Sequence, residues 1–196
     1  MKVVILGSGS GTNAEAILAQ QAAGGLDPAQ VVAVYCDVAD APILTKAENH
    51  GIPARHLPAE PFRTKLDGEA QEHWIKAIRS DKPDLIVLAG FMRVLKSPFL
   101  QAFPNKIINL HPSLLPAFPG LDAIRRAFER GIKITGCTIH WVNEEVDGGE
   151  IIAQAPVRTL EGDTLEMLGQ RIHAAEHIIL PAAIRNLATG AIPLPK

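Results

Sequence analysis

Val3-Val4-Ile5-Leu6 is apolar at every position and runs straight into glycine. A half-buried strand alternates polar and apolar residues. An unbroken apolar run therefore calls for burial on both faces, as in a central strand of a parallel sheet covered by helices on either side. Gly7-Ser8-Gly9-Ser10-Gly11-Thr12-Asn13 comes next, then an Ala- and Gln-rich helix from Ala14 to Ala23. Strand, glycine turn and helix N-terminus together aim backbone N–H groups and a helix dipole at one point, an anion site. Thr12 and Asn13 are N-cap residue types. The glycines read GxGxG, whereas the dinucleotide fingerprint GxGxxG needs glycine where Thr12 stands. A monophosphate is expected in preference to a pyrophosphate, even though Asp37, just after a second strand from Val31 to Cys36, is the residue type that holds ribose in dinucleotide folds.

The alternation continues along the chain. Ala41 to His50 reads as a helix, Pro53 to Leu57 as a short strand, and Phe62 to Ser80 as a helix with Leu66, Ala70, Trp74, Ala77 and Ile78 on one stripe. Asp84 to Ala89 is another buried strand, running into Gly90-Phe91-Met92-Arg93-Val94-Leu95. Gly120 to Arg130 is a helix stopped by Gly131. Lys133 to Val142 and Glu150 to Val157 form a hairpin around the turn from Asn143 to Gly149. Thr164 to Leu187 is a long last helix capped by Asp163 or Gly162. The sequence predicts an α/β, Rossmann-like fold: a mostly parallel central sheet flanked by helices, with a C-terminal β-hairpin and a long final helix. No linker or repeat divides the chain, and its 196 residues suit a single domain over 1–196.

The densest chemistry lies in Asn109-Leu110-His111-Pro112-Ser113-Leu114-Leu115-Pro116-Ala117-Phe118-Pro119-Gly120, directly after the apolar Lys106-Ile107-Ile108 run. On a strand, Asn109 and His111 project to the same face, and the three prolines stiffen the exit from it. An amide donor beside an imidazole can hold and protonate an oxygen that gains negative charge, a fragment of acyl-transfer chemistry. Asp147 sits in an Asp-Gly-Gly turn that turn chemistry alone explains. Within reach of His111 it would favour the imidazolium. His50 and His56 fall at element ends and His73 on a polar helix face, while His140 belongs to the sheet with no role that the sequence assigns.

His173-Ala174-Ala175-Glu176-His177 has the HxxEH spacing of zinc peptidases, with both imidazoles on one helix face. No Asp or Glu comes after His177 to complete such a site, so no metal is expected. Glu176 can instead hold a substrate ammonium, or be a solvated surface residue. Met92, Leu95 and Arg93 could be an ordinary apolar turn with one exposed charge. Arg63 and Lys65 are either a solvated helix start or a docking point for an acidic tail.

A net charge of −2 gives no electrostatic case for a nucleic-acid or membrane partner. The longest apolar run, Leu85 to Met92, is far too short to span a bilayer. No secretory pattern opens the chain, and Cys36 and Cys137 lack CxxC spacing. Buried free thiols in a reducing cytoplasm are expected.

Taken together, GSGSGTN, LAGFMRVL, NLHPSLLPAFPG, EVDGG and AEHIILP occur in the order seen in the glycinamide ribonucleotide formyltransferases, folate-dependent enzymes of purine (IMP) synthesis, which this chain resembles over nearly its whole length. The resemblance implies 10-formyltetrahydrofolate as donor and glycinamide ribonucleotide as acceptor, both small molecules, with no metal and no nicotinamide. It makes Asn109, His111 and Asp147 the catalytic trio. Gly11, Thr12 and Asn13 become the acceptor-phosphate loop, with Pro112 and Glu176 as further acceptor contacts. Met92, Arg93, Val94 and Leu95, with Val142, Asn109 and Asp147, resemble the folate pocket, and Lys65 a basic position near the folate tail. Ser10 and Ala117 depart from residues common in such enzymes, and the C-terminal tail is shorter than in some, which bears on phosphate binding and on a homodimer as the assembly. The alternatives are a formyltetrahydrofolate deformylase, whose usual N-terminal regulatory domain has no counterpart before Val3, and a dinucleotide-binding module without formyl chemistry. A methionyl-tRNA formyltransferase would need an RNA-binding extension.

Overall fold

The Val3–Leu6 run lies in β1 (Lys2–Gly7), whose residues after Lys2 are all buried. In this computed structural model, which describes residues 1–195, β1 is succeeded by α1 (Thr12–Ala22), β2 (Gln30–Cys36), α2 (Pro42–Asn49), β3 (Ala54–His56), β4 (Lys65–Leu66), α3 (Gly68–Asp81) and β5 (Leu85–Leu88). Then come β6 (Val94–Leu95), α4 (Ser97–Ala102), β7 (Ile107–His111), α5 (Ala123–Glu129), β8 (Ile134–Trp141), β9 (Ile151–Arg158) and α6 (Leu165–Thr189). The seven-stranded sheet has the order β3-β2-β1-β5-β7-β8-β9. Pairing is parallel from β3 to β7 and antiparallel for β7–β8 and β8–β9, so the hairpin extends the parallel sheet as the sequence implied.

Alternate residues of β1 enter opposite cores, as a period of two requires. Val3 and Ile5 join Ile17, Ile43, Leu168 and Ile184 under α1, α2 and α6. Val4 and Leu6 join Trp74, Ile78 and Phe99 under α3 and α4. The strand order reverses around β1, β2 and β5, and the carboxyl ends of β1 and β5 lead into the glycine loop and the 90–95 turn. Open α/β sheets bind ligands at such ends.

Several boundaries differ from the sequence reading. The helix expected over Phe62–Ser80 starts at Gly68, because Asp67 caps it by accepting the Gly68 N–H at 2.9 Å. Lys65 and Leu66 pair in parallel with Val94 and Leu95 instead, so Leu66 reaches the core from a strand and not from the helix stripe. Thr12 and Asn13 are the first helical residues of α1, and the N-cap is Gly11 at φ 70° with no side-chain cap. The 120–130 helix is shortened to Ala123–Glu129 after a left-handed Asp122. The last helix is capped by Thr164, whose hydroxyl accepts from the Met167 N–H. Asp163 accepts from the Leu160 N–H and pairs with Arg171. α4 had no counterpart in the sequence reading. Cys36 and Cys137 are buried and free.

Gly149 sits where the 143–149 turn enters β9, and a Cβ there would lie 1.6 Å from the Trp141 carbonyl oxygen. That oxygen belongs to the backbone and cannot move aside without opening the hairpin. Gly149→Ala should therefore lose about 1–3 kcal/mol, seen as a lower urea midpoint at unchanged m value.

Candidate active site

β7 ends in Asn109-Leu110-His111, between β5 on one side and β8 on the other. Its register sets Asn109 opposite His140 and His111 opposite Thr138. Asp147 arrives from the hairpin turn with a left-handed backbone (φ 55°), a conformation Asp tolerates better than most non-glycine residues. The turn is braced by the Glu145 N–H donating to Asn143 Oδ1 at 3.0 Å and the Gly148 N–H donating to the Glu145 carbonyl at 3.1 Å.

His111 and Asp147 meet. Asp147 Oδ2 lies 3.2 Å from His111 Nδ1 and accepts the Gly120 N–H at 2.7 Å. Asp147 Oδ1 accepts from Asn109 Nδ2 at 3.4 Å and lies 3.6 Å from His140 Nε2. The His111 and Asp147 side chains are only 6% and 9% exposed, so water screens the pair little. Burial pushes the Asp147 carboxyl up. The pull of His140, the Gly120 N–H and the His111 imidazole outweighs it and holds the group below its ordinary value.

His111 Nε2 faces the Phe118 carbonyl at 2.8 Å. A carbonyl only accepts, so Nε2 carries a proton, and a protonated ring donates to Asp147 from Nδ1 as well. His140 Nδ1 likewise donates to the Trp141 carbonyl at 2.9 Å, and its Nε2 lies 3.2 Å from Asn109 Nδ2. His140 is thus the neighbour that the sequence reading left without a role. Thr138 and His140 are buried polar residues at alternate positions of an otherwise apolar stretch of β8, and that pattern was the available signal.

The loop after His111 is fixed by Thr138. Its Oγ1 donates to the Ser113 carbonyl at 2.7 Å and accepts the Leu115 N–H at 3.0 Å. Gln154 Nε2 donates to the Leu115 carbonyl at 2.9 Å, and Ser113 Oγ to the Ala117 carbonyl at 2.5 Å. The Leu115-Pro116 bond is cis.

Beside the trio opens a cavity of about 480 Å³, lined by Asn109, His111, Pro112, Asp147, Val142 and residues 90–95. Met92, Arg93, Val94 and Leu95 all belong to this lining, but Lys65 does not. Lys65 Nζ pairs with Asp67 at 2.6 Å and lies 4.2 Å from the centre of the Phe62 ring. Arg93 is no isolated exposed charge, since its Nε donates to Asp37 Oδ2 at 2.6 Å. Asp37 is therefore engaged by the protein through Oδ2.

Gly11, Thr12 and Asn13 open α1, and Gly11 packs so closely on α2 that a Cβ would lie 2.6 Å from Ile43 Cβ. Asn13 Nδ2 donates to Glu176 Oε2 at 2.9 Å, and His173 Nδ1 lies 2.9 Å from the same oxygen. Glu176 is 3% exposed, not a solvated surface residue. Its hydrogen bond lifts His173, while burial pushes His177 down. Asn13 Oδ1 and His177 Nε2 are buried without a protein partner. Among the described residues no cluster of three or more His, Cys, Asp or Glu could hold a metal ion, and no helix is long and apolar enough to cross a membrane.

Residues 1–184 match the family described as formyl transferase, and the chain belongs to it. It is 41% identical over 186 residues to the phosphoribosylglycinamide formyltransferase of Bacillus subtilis (strain 168), covering 95% of this chain and 94% of that protein. It is also 41% identical over 194 residues to the trifunctional purine biosynthetic protein adenosine-3 of Gallus gallus, covering 98% of this chain but spanning only 19% of that relative's length. Among solved structures, glycinamide ribonucleotide transformylase 1 from Symbiobacterium toebii superposes with a TM-score of 0.90 at 47% identity, over 97% of this chain and 88% of that one. The phosphoribosylglycinamide formyltransferase of Bacillus halodurans gives 0.90 at 41% identity, over 97% of each chain. The Rossmann-like fold expected from the sequence is the fold of these enzymes.

A carboxyl held below its ordinary value contributes stability above that value and loses it as the pH falls through the folded one. The stability advantage of the wild type over Asp147→Asn should therefore be present above the ordinary value of 3.8 and vanish at more acid pH. Urea unfolding of both proteins between pH 7 and pH 3 measures it.

Proposed function

We propose that this formyl transferase family member carries the formyl group of 10-formyltetrahydrofolate to the amine of glycinamide ribonucleotide, a step of purine (IMP) synthesis. The observation that carries the reading is the 3.2 Å approach of Asp147 to His111, with Asn109 alongside, at the edge of the 480 Å³ cavity. The whole chain acts as one formyltransferase domain, in the cytoplasm, on two small molecules. Neither metal nor nicotinamide takes part.

In this reading the acceptor amine attacks the formyl carbon, and negative charge builds on the former carbonyl oxygen. Asn109 Nδ2 and the His111 imidazolium stabilise that oxygen. The contact of Nδ2 with Asp147, long at 3.4 Å, is the one that yields to the oxyanion. Asp147 keeps the imidazole charged and oriented. It also orders a water that takes the proton from the attacking nitrogen. Collapse of the intermediate breaks the bond to the folate nitrogen, which leaves with a proton from His111 or from that water. The donor occupies the cavity beside Met92 to Leu95 and Val142, with Lys65 toward its acidic tail. The acceptor lies along Pro112 and Glu176, its phosphate on the N–H groups of Gly11 to Asn13, where the α1 dipole favours an anion.

The deciding assay gives purified protein both substrates and, in parallel, the folate alone. Formylated acceptor supports the proposal, whereas formate release without acceptor would identify a deformylase. Losing one oxyanion donor costs roughly 2.7–4 kcal/mol of barrier, on the order of 100- to 1,000-fold. Asn109→Ala, His111→Ala and Asp147→Asn should each lower kcat on that scale with little change in folate binding, read by steady-state kinetics and fluorescence titration. Thr12→Ala and Asn13→Ala should instead raise the acceptor KM while leaving the donor KM in place.

A further inference from the structure

Asp37 stands where a dinucleotide fold places its ribose-binding acid, and formyl transfer as proposed gives it no task. Its side chain is 1% exposed and meets Arg93 Nε at 2.6 Å. Nη1 of the same guanidinium donates to the Phe62 carbonyl at 2.9 Å and also to the Arg63 carbonyl. The residues on either side of Arg93 are tied as well. The Met92 N–H donates to Ser8 Oγ at 2.9 Å, and the Val94 N–H to the Thr64 carbonyl at 2.9 Å. The segment before α3 is otherwise joined to the 92–95 turn by the two-residue β4–β6 ladder.

We infer that Asp37 is a positioning residue for the donor pocket, acting through Arg93 to lock residues 62–66 onto the 92–95 wall of the cavity. A guanidinium is planar, so a carboxylate that captures Nε fixes the plane in which Nη1 must find its acceptors. With Asp37 in place those acceptors are two successive main-chain carbonyls, and a loop is pinned by its backbone whatever side chains it carries. A cation engaged in this way is not free to meet the acidic tail of a folate, so Arg93 shapes the pocket and leaves the tail to other groups. The pocket half of this inference rests on the donor reading of the cavity, while the lock itself does not.

Asp37→Ala and Asp37→Asn in the full chain test it, with amide hydrogen exchange, thermal melting and steady-state kinetics in which each substrate is varied in turn. In Asp37→Ala, exchange should quicken in peptides covering 62–66 and 92–95 while β1 and β5 keep their protection. The donor KM should rise roughly tenfold, with kcat and the acceptor KM unchanged. Asp37→Asn still accepts from Nε and should recover most of the donor KM. Wild-type exchange in a folded Asp37→Ala overturns the lock. Faster exchange at an unchanged donor KM, or an equal rise in both KM values, overturns the pocket role. If Asp37→Ala does not fold, Asp37→Ser, whose hydroxyl replaces the carboxylate but falls short of Nε, serves for the same comparison. A wild-type protein inactive on the folate would sink the proposed function, and the exchange data would still decide the lock.

Discussion

A carboxylate removed from water stays ionised only if the protein supplies donors and positive charge around it. Asp147 draws these from separate parts of the chain: the His111 ring on β7, the Gly120 N–H on the loop beyond it, and His140 on β8. Each source depends on the sheet. β7 delivers His111 because it pairs between β5 and β8, and β8 delivers His140 because its antiparallel register faces Asn109. Without the hairpin appended to the parallel strands, the carboxylate would have no route to the imidazole.

The sequence made the parts of this arrangement legible to different degrees. Buried strands could be read directly, since Val3–Leu6 and the 85–89 run are apolar throughout. The adjacency of Asn109 and His111 came from the period of a strand. The approach of Asp147 could not be derived, because a DGG turn says nothing about which face of the sheet it folds toward, and only the resemblance to the formyltransferases joined it to the trio. His140 could be placed in the sheet but given no role, because a buried polar residue in a strand does not say what it faces. Its meaning comes from the residue across the ladder.

The false helix start at Phe62 has a related cause. Residues 62–66 suit a helix taken alone, but partners distant in sequence settle the matter: Val94 and Leu95 form a ladder with Lys65 and Leu66, and Arg93 takes the carbonyls of Phe62 and Arg63. Local propensity is a weak prior against such contacts. The glycine loop shows the same limit at the level of chemistry. A strand–glycine–helix unit provides an anion site, but which anion depends on what surrounds it. Here Glu176 is bound to Asn13, and Asp37 is taken by Arg93.

The loop from His111 to Gly120 touches the trio through its main chain: the Phe118 carbonyl receives the imidazole, and the Gly120 N–H reaches the carboxylate. Main-chain groups are the same in nearly every amino acid. Positions such as Ala117 and Phe118 can therefore drift over evolution as long as the chain keeps its path, and the chemistry beside them is insulated from that drift.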